Sequence, residues 1–181
     1  MLNINKLMKD SDLRVYNNNG KNYVCINGHA LYRQELWPNT ECVTEPPEAI
    51  ATFLNENHFI EAVRFPHTFS INKQAISLYT GESMDGGIIV KIFDANYTRP
   101  FIKRTSVCFG GSNEHKPLYV LDADTIDAIV MPWNVNWYHP VYGFLKRSVE
   151  DWFTKGDDGL NEILNALPEG LEPDIDDIPM F

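Results

Sequence analysis

L-R-V-Y-N-N-N-G-K-N-Y-V-C-I-N-G-H-A-L-Y-R, residues Leu13 to Arg33, is the stretch that decides the fold class of this chain. Leu13 to Tyr16, Tyr23 to Ile26 and Ala30 to Arg33 are rich in the β-branched and aromatic residues that suit a pleated surface. Between them stand Asn18-Asn19-Gly20 and Asn27-Gly28, residue types that tolerate the positive φ of tight hairpin turns. Three short strands joined by two turns make a β-meander.

The same reading extends outward. Thr44 is placed to cap, Pro46 and Pro47 suit a first helical turn, and Ile50, Phe53 and Leu54 give one apolar face, so a short helix ending near Asn57 follows the meander. Further strands are expected at Phe59 to Phe65, Ala75 to Tyr79, Gly87 to Phe93, Phe101 to Phe109, Pro117 to Leu121 and Ile126 to Met131, with Asp85-Gly86-Gly87 and Gly110-Gly111-Ser112-Asn113 as turns. Asp122 to Asp127 fits either the last hairpin or a capped helical turn. Pro132 to Pro140 holds Trp133, Trp137, Tyr138 and His139 and is too broken for a regular element; packing or base stacking would each use such rings. Helical periodicity then runs from Val141 to Phe153 and from Leu160 to Leu167. The expectation is a mainly β, α+β protein: a small OB-like barrel or a sandwich of short antiparallel strands, with a few short helices and a disordered acidic C-terminal tail. Residues 1–140 form the β-rich part, 141–168 the helical segment and 169–181 the tail.

The 181 residues carry a net charge of −10, yet that charge is not spread evenly. From Val149 to Phe181 there are ten acids against one base, Lys155, while the first 148 residues sum to −1. A nearly neutral body bearing an acidic arm permits phosphate contacts on the body, which a uniformly acidic surface would oppose. The composition, 44% hydrophobic and 12% aromatic, is that of a folded domain. Three scattered cysteines, Cys25, Cys42 and Cys108, do not make a disulfide framework, and the chain shows neither a signal-peptide run nor a membrane span, so a cytoplasmic location is expected.

The arm ends in E-P-D-I-D-D-I-P-M-F, residues Glu172 to Phe181. It buries too little apolar surface to fold alone, and Pro173 and Pro179 interrupt any ladder. Asp174, Asp176, Asp177, Ile178, Pro179 and Phe181 resemble the acidic tip of bacterial and phage single-stranded DNA-binding proteins. The resemblance covers about the last eight residues; Met180 between proline and phenylalanine departs from the pattern, as does the lack of a long Gly- or Gln-rich linker. It implies that the tail docks on replication or repair proteins, with Phe181 in a pocket and the carboxylates on basic side chains.

In the body, K-I-F-D-A-N-Y-T-R-P-F-I-K-R-T-S-V-C-F (Lys91 to Phe109) interleaves Lys91, Arg99, Lys103 and Arg104 with Phe93, Tyr97 and Phe101. Binders of single-stranded nucleic acid combine such rings and cations, because bases stack on aromatic faces while basic groups follow the phosphates. On a strand, Phe101 and Lys103 would share one face. Core packing of the rings is the competing use of the same pattern. Arg64 with Phe65, and Tyr32 with Arg33 and Trp37, repeat it more weakly. Cys25 with His29 and Cys108 with His115 lack paired metal-ligand spacing, the group Asp122, Asp124 and Asp127 is explained by turn formation, and no signature of a hydrolase, phosphate loop or dinucleotide site is present. No metal, cofactor or enzymatic activity is therefore expected.

The expected function is sequence-independent binding of single-stranded DNA, with the acidic tail recruiting replication or repair proteins; homo-oligomerisation is left open. The alternative is a phage or mobile-element inhibitor that imitates a single-stranded DNA-binding tip, or DNA itself, to block host replication, repair or defence proteins. A continuous positive groove through Lys91, Arg99, Lys103 and Arg104 would favour the former, and dispersed charge the latter.

Overall fold

A computed structural model describes residues 4–9, 11–34, 43–104 and 106–173. One helical turn, α1 (Asn5–Met8), precedes the meander β1 (Leu13–Asn18), β2 (Lys21–Ile26) and β3 (Ala30–Arg33). Its two turns place Asn19 and Gly20 at φ 52° and 79°, and Asn27 and Gly28 at 53° and 72°. A positive φ at both central residues gives the turn the right-handed twist of the strands it joins, and this is why Asn-Gly is used. The register Tyr16↔Tyr23 and Val24↔Tyr32 then sorts the side chains by parity. Val15, Val24, Ile26, Ala30 and Tyr32 lie on one face, and Tyr16, Tyr23, Cys25 and Leu31 on the other.

The chain continues through β4 (Val43–Thr44), α2 (Glu48–Leu54), β5 (Ile60–Glu61), β6 (Val63–Ile71), β7 (Gln74–Glu82) and β8 (Ile88–Asp94). Thr44, expected as a cap, lies in β4, which pairs parallel to β1; Pro47 takes the cap position without a side-chain hydrogen bond. Then come α3 (Ala95–Thr98), a 3₁₀ turn (Arg99–Phe101), β9 (Val107–Phe109), β10 (Leu118–Asp122), β11 (Thr125–Val130), α4 (Pro140–Lys155), a 3₁₀ turn (Asp157–Gly159), α5 (Leu160–Asn165) and β12 (Leu171–Pro173).

Among the described residues the strands form two open sheets and no closed barrel: β4-β1-β2-β3-β11-β10-β9-β5, and β12-β6-β7-β8. Apart from the β1–β4 contact the pairing is antiparallel. The sheets face one another across a core that joins Val24, Tyr32, Phe109 and Val130 of the first to Tyr79, Ile89 and Phe93 of the second. Outside the first sheet, α2 covers Tyr23, Leu31 and Tyr119 with Phe53 and Leu54. Outside the second, α4 covers Phe65, Leu78 and Ile92 with Leu145 and Val149, so the segment 141–168 closes this core. The protein is thus a mainly β, α+β sandwich with one helical layer on each outer face. Strand β8 shows the reason in miniature: Ile89 and Phe93 enter the core between the sheets, while Val90 and Ile92 enter the core under α4. A strand covered on both faces reads as a nearly unbroken apolar run.

The chain passes from one sheet to the other between β5 and β6, at Ala62. There Gly81 of β7 lies so close to the backbone of β5 that a Cβ would overlap the carbonyl oxygen of Glu61. Glycine lets the two backbones meet at this seam.

Two expectations are corrected. Phe101 to Phe109 is not one strand: the Asp94 carboxylate caps α3 by accepting from the Asn96 N–H at 2.9 Å, Pro100 fits the helical turn that follows, and only Val107–Phe109 is extended. The disorder expected of the tail does not extend to its first residues either, although Glu172 and Pro173 remain exposed. Leu171–Pro173 pairs with β6, with Leu171 opposite Ile71 and buried beside Phe65 and Phe69. Residues 174–181, together with Trp37 and Cys42, lie outside the described residues. No helix among the described residues is long and apolar enough to cross a membrane.

Candidate functional site

The interleaved stretch Lys91 to Phe109 does not form one surface. Lys91 is 2% exposed, because its parity on β8 turns it inward with Ile89 and Phe93. Its ammonium donates to the carbonyl oxygens of Gly111 (3.1 Å), Asn113 (2.7 Å) and Lys116 (2.9 Å) and stands 4.7 Å from the centre of the Phe109 ring. Burial, aided by the nearby charge of Lys116, pushes Lys91 down to about 8. Phe93 is fully buried, edge-on to Tyr79 at 5.6 Å, and Phe101 is buried in the same core. A base can stack only on a ring with a solvent-facing side, so Phe93 and Phe101 are removed from the expected DNA-binding set, and Lys91 is removed as a phosphate contact.

The remaining cations point to separate neighbours. Arg104 reaches Asp127 at 3.5 Å, and Lys103 is exposed. Asp127, 3% exposed, also receives Arg33 at 2.7 Å, and Arg33 reaches Asp122 at 3.0 Å. Two of the three clustered aspartates are thus engaged with arginine. Among the described residues no three His, Cys, Asp or Glu side chains gather as a metal site would need. Phe65, the weaker aromatic candidate, is fully buried against Trp152.

Tyr97 and Arg99 do come together. They line a cleft of about 580 Å³ between α3 and the β2–β3 turn, with Lys6 of α1 at its border. The walls are tied across the seam of the two sheets. Asn27 donates from its side chain to the Tyr97 hydroxyl at 3.1 Å and accepts at Oδ1 from the Asp12 N–H at 2.8 Å. The Tyr32 hydroxyl donates to the Tyr97 carbonyl at 2.5 Å. Burial holds that phenol well above its usual range, which keeps it a donor. Gln74 donates to Asp94 at 3.0 Å, so the carboxylate that caps α3 is also anchored to the second sheet.

A second hollow of about 510 Å³ shares Asn27, Asp94 and Tyr97 with the first and runs on past His29 to Trp133 and Tyr142. The His29 and Tyr97 rings are 6.1 Å apart and tilted by 42°. Trp133 is half-buried, and its backbone N–H donates to the Ile92 carbonyl at 2.8 Å, so the tryptophan-rich segment covers the open edge of β8. The cleft therefore has cations at one end, rings at the other, and a floor fixed by hydrogen bonds between the sheets. Lys6, Asn27 and His29 were not legible as site residues. Asn27-Gly28 announces a turn, but only the stacking of the sheets brings that turn against α3.

Comparisons with protein-family models, with curated proteins and with solved structures return no match.

Proposed function

We propose that this protein works by docking: the acidic segment Asp174 to Phe181 occupies pockets on replication or repair proteins that receive the tips of single-stranded DNA-binding proteins, and the folded body holds that segment in place. The observation that carries this reading is the burial of Lys91, Phe93 and Phe101, which removes the groove that single-strand binding by this stretch would need. Arg99 lines the cleft and Arg104 turns to Asp127, so the charge left on this stretch is dispersed. The anchoring of Leu171–Pro173 on the edge of β6 supports the reading further, because it launches the acidic segment from a packed strand. A carboxylate run followed by Ile178, Pro179 and Phe181 offers a basic pocket both charge and an apolar plug. A cytoplasmic setting belongs to the proposal; both described cysteines, Cys25 and Cys108, are free, as thiols in a reducing compartment are.

The test is competition. A fluorescent peptide carrying a bacterial single-stranded DNA-binding tip, bound to a tip-recognising repair protein, should be displaced by the full chain. Phe181→Ala or a double Asp176→Asn, Asp177→Asn change should weaken displacement by at least about tenfold, the loss of one anchor or of charge-assisted contacts. Absence of displacement, together with salt-sensitive binding of oligo-dT that tightens when residues 174–181 are removed, would return the assignment to single-stranded DNA binding by the body.

A further inference from the structure

The docking reading leaves unused the hollow of about 510 Å³ that runs from Tyr97 past His29 to Trp133 and Tyr142. Its volume falls within the range of small-ligand sites, roughly 300–1,000 Å³. Those four rings line it, and no lysine or arginine does. Lys6 and Arg99 border the neighbouring lobe instead, where Arg99 donates to Asn96 at 3.3 Å. Elsewhere in the fold Lys91 and Lys146 stand over the rings of Phe109 and Trp137, 4.7 and 5.8 Å from their centres. Among the described residues no lysine or arginine covers the four rings of this hollow in that way. Its acidic group is Asp94. The two carboxylate oxygens each accept one hydrogen bond, from the Asn96 N–H at 2.9 Å and from the Gln74 amide at 3.0 Å. Neither donor is charged, so these bonds orient the carboxylate without neutralising it.

The lining sets the charge of the occupant. An anion would meet Asp94 with no lysine or arginine to receive it. A neutral apolar molecule would shut the carboxylate away from water without a counter-charge, which is costly. A metal ion would need several hard ligands, and among the described residues no three His, Cys, Asp or Glu side chains gather. A bulky, weakly hydrated cation is drawn both by ring faces and by the carboxylate, and a quaternary ammonium needs no hydrogen-bond acceptor, only this field. We propose that the hollow binds a trimethylammonium group, held among Tyr97, Trp133 and Tyr142 with its charge balanced by Asp94. That chemistry is shared by small choline-like molecules and by a trimethylated lysine side chain. The walls are set before any ligand arrives. Asn27 and Tyr32 hold Tyr97 at 3.1 and 2.5 Å, the His29 carbonyl accepts from the Met131 N–H at 2.9 Å, and the backbone of Trp133 is tied to Ile92. Rings fixed in this way lose little freedom on binding.

The experiment is isothermal titration of the full chain with choline, with its neutral analogue in which a tert-butyl group replaces trimethylammonium, and with a short peptide carrying trimethyl-lysine beside its unmethylated form. Choline is expected to saturate one site, and the neutral analogue, which keeps the shape and loses the charge, to bind at least about tenfold more weakly. Asp94→Asn should weaken choline by at least about fivefold through loss of the facing charge, while its remaining side-chain carbonyl oxygen can still accept from the Asn96 N–H. Asp124→Asn, at an exposed carboxylate elsewhere on the surface, should leave choline within about twofold of the parent. Tyr142→Leu should weaken choline by at least about threefold and Tyr142→Phe should not, since phenylalanine keeps the ring face. That pair decides the matter if Asp94→Asn does not fold. A methylated peptide binding more than about threefold tighter than both choline and its unmethylated form would identify a lysine side chain as the source; any smaller ratio would identify a free small molecule. The proposal is overturned by a neutral analogue as tight as choline, by choline binding indifferent to Asp94→Asn or Tyr142→Leu, or by no saturation with choline or methylated peptide below about 10 mM. The probes differ from the tip peptide of the docking test, so either reading can fail without the other.

Discussion

Replacing Lys91 with methionine separates the two uses to which a lysine in this stretch can be put. If the ammonium served a phosphate, its loss would leave the fold untouched. In the sandwich it holds the loop between β9 and β10 through three carbonyl oxygens at 2.7 to 3.1 Å. Hydrogen bonds to a charged group contribute about 1.5–3 kcal/mol each. Against them stands the cost of burying the charge: moving a lysine from 10.5 to about 8 corresponds to on the order of 3 kcal/mol. Methionine relieves that cost and keeps the contact with Phe109, so the net loss should be about 2–4 kcal/mol, towards the low end because the loop carbonyls can partly reach water. Urea denaturation measures it as a lower midpoint at unchanged slope, and hydrogen exchange should report faster opening of residues 110–117. The pH dependence gives an independent check. Between pH 8 and 10.5 the unfolded chain holds a proton at Lys91 that the folded chain has released, so the stability contribution of this group rises with pH across that window and is lost as pH falls through 8. The raised phenols of Tyr32 and Tyr119 act in the opposite sense above pH 10, because the unfolded chain loses those protons first. The difference between parent and Lys91→Met removes their effect and should widen from pH 8 to 10.5. A variant within about 0.5 kcal/mol of the parent, the range of an ordinary surface change, with no such widening, would refute the assignment of Lys91 as a buried pin.

Three further outcomes test the architecture. Gly81→Ala should destabilise by about 2 kcal/mol or more, since its methyl would meet the Glu61 backbone rather than a side chain that could move; a thermal midpoint equal to the parent's would mean the seam is looser than described. Asp127→Asn should cost about 2–4 kcal/mol by leaving the largely buried Arg33 with Asp122 as its remaining carboxylate, measured by urea denaturation and compared with Arg104→Gln, where loss of a half-exposed guanidinium should cost under about 1 kcal/mol. Ala123→Gly should stabilise the β10–β11 hairpin by up to about 1 kcal/mol, because Ala123 sits at φ 50°, where a Cβ is penalised; a loss of stability instead would show that unfolded-state entropy outweighs the turn.

Local chemistry in the sequence determined the strands. Asn19-Gly20 and Asn27-Gly28 adopt the positive φ their residue types permit, so the meander Leu13 to Arg33 could be read without any long-range information. The same holds for α4, where His139 caps through a hydrogen bond from the Val141 N–H and Pro140 opens the first turn. The interleaving of rings and cations from Lys91 to Phe109 is equally visible, yet its use was not. A period-two pattern states which residues share a face, not which face meets solvent, and β8 has no solvent face because the first sheet covers one side and α4 the other. Asp94 and Pro100 carried the signal that the next residues would coil into a helix, a signal weaker than the β-rich composition around it. The cleft was beyond reach for a different reason. Lys6, Asn27, Tyr97 and Trp133 are spread over most of the chain, and only the stacking of two sheets brings them to one border. Sequence thus fixed what each short segment can become, through dihedral preference and side-chain parity. Tertiary structure decided which rings and charges remain for a partner, because burial depends on what packs from the other side.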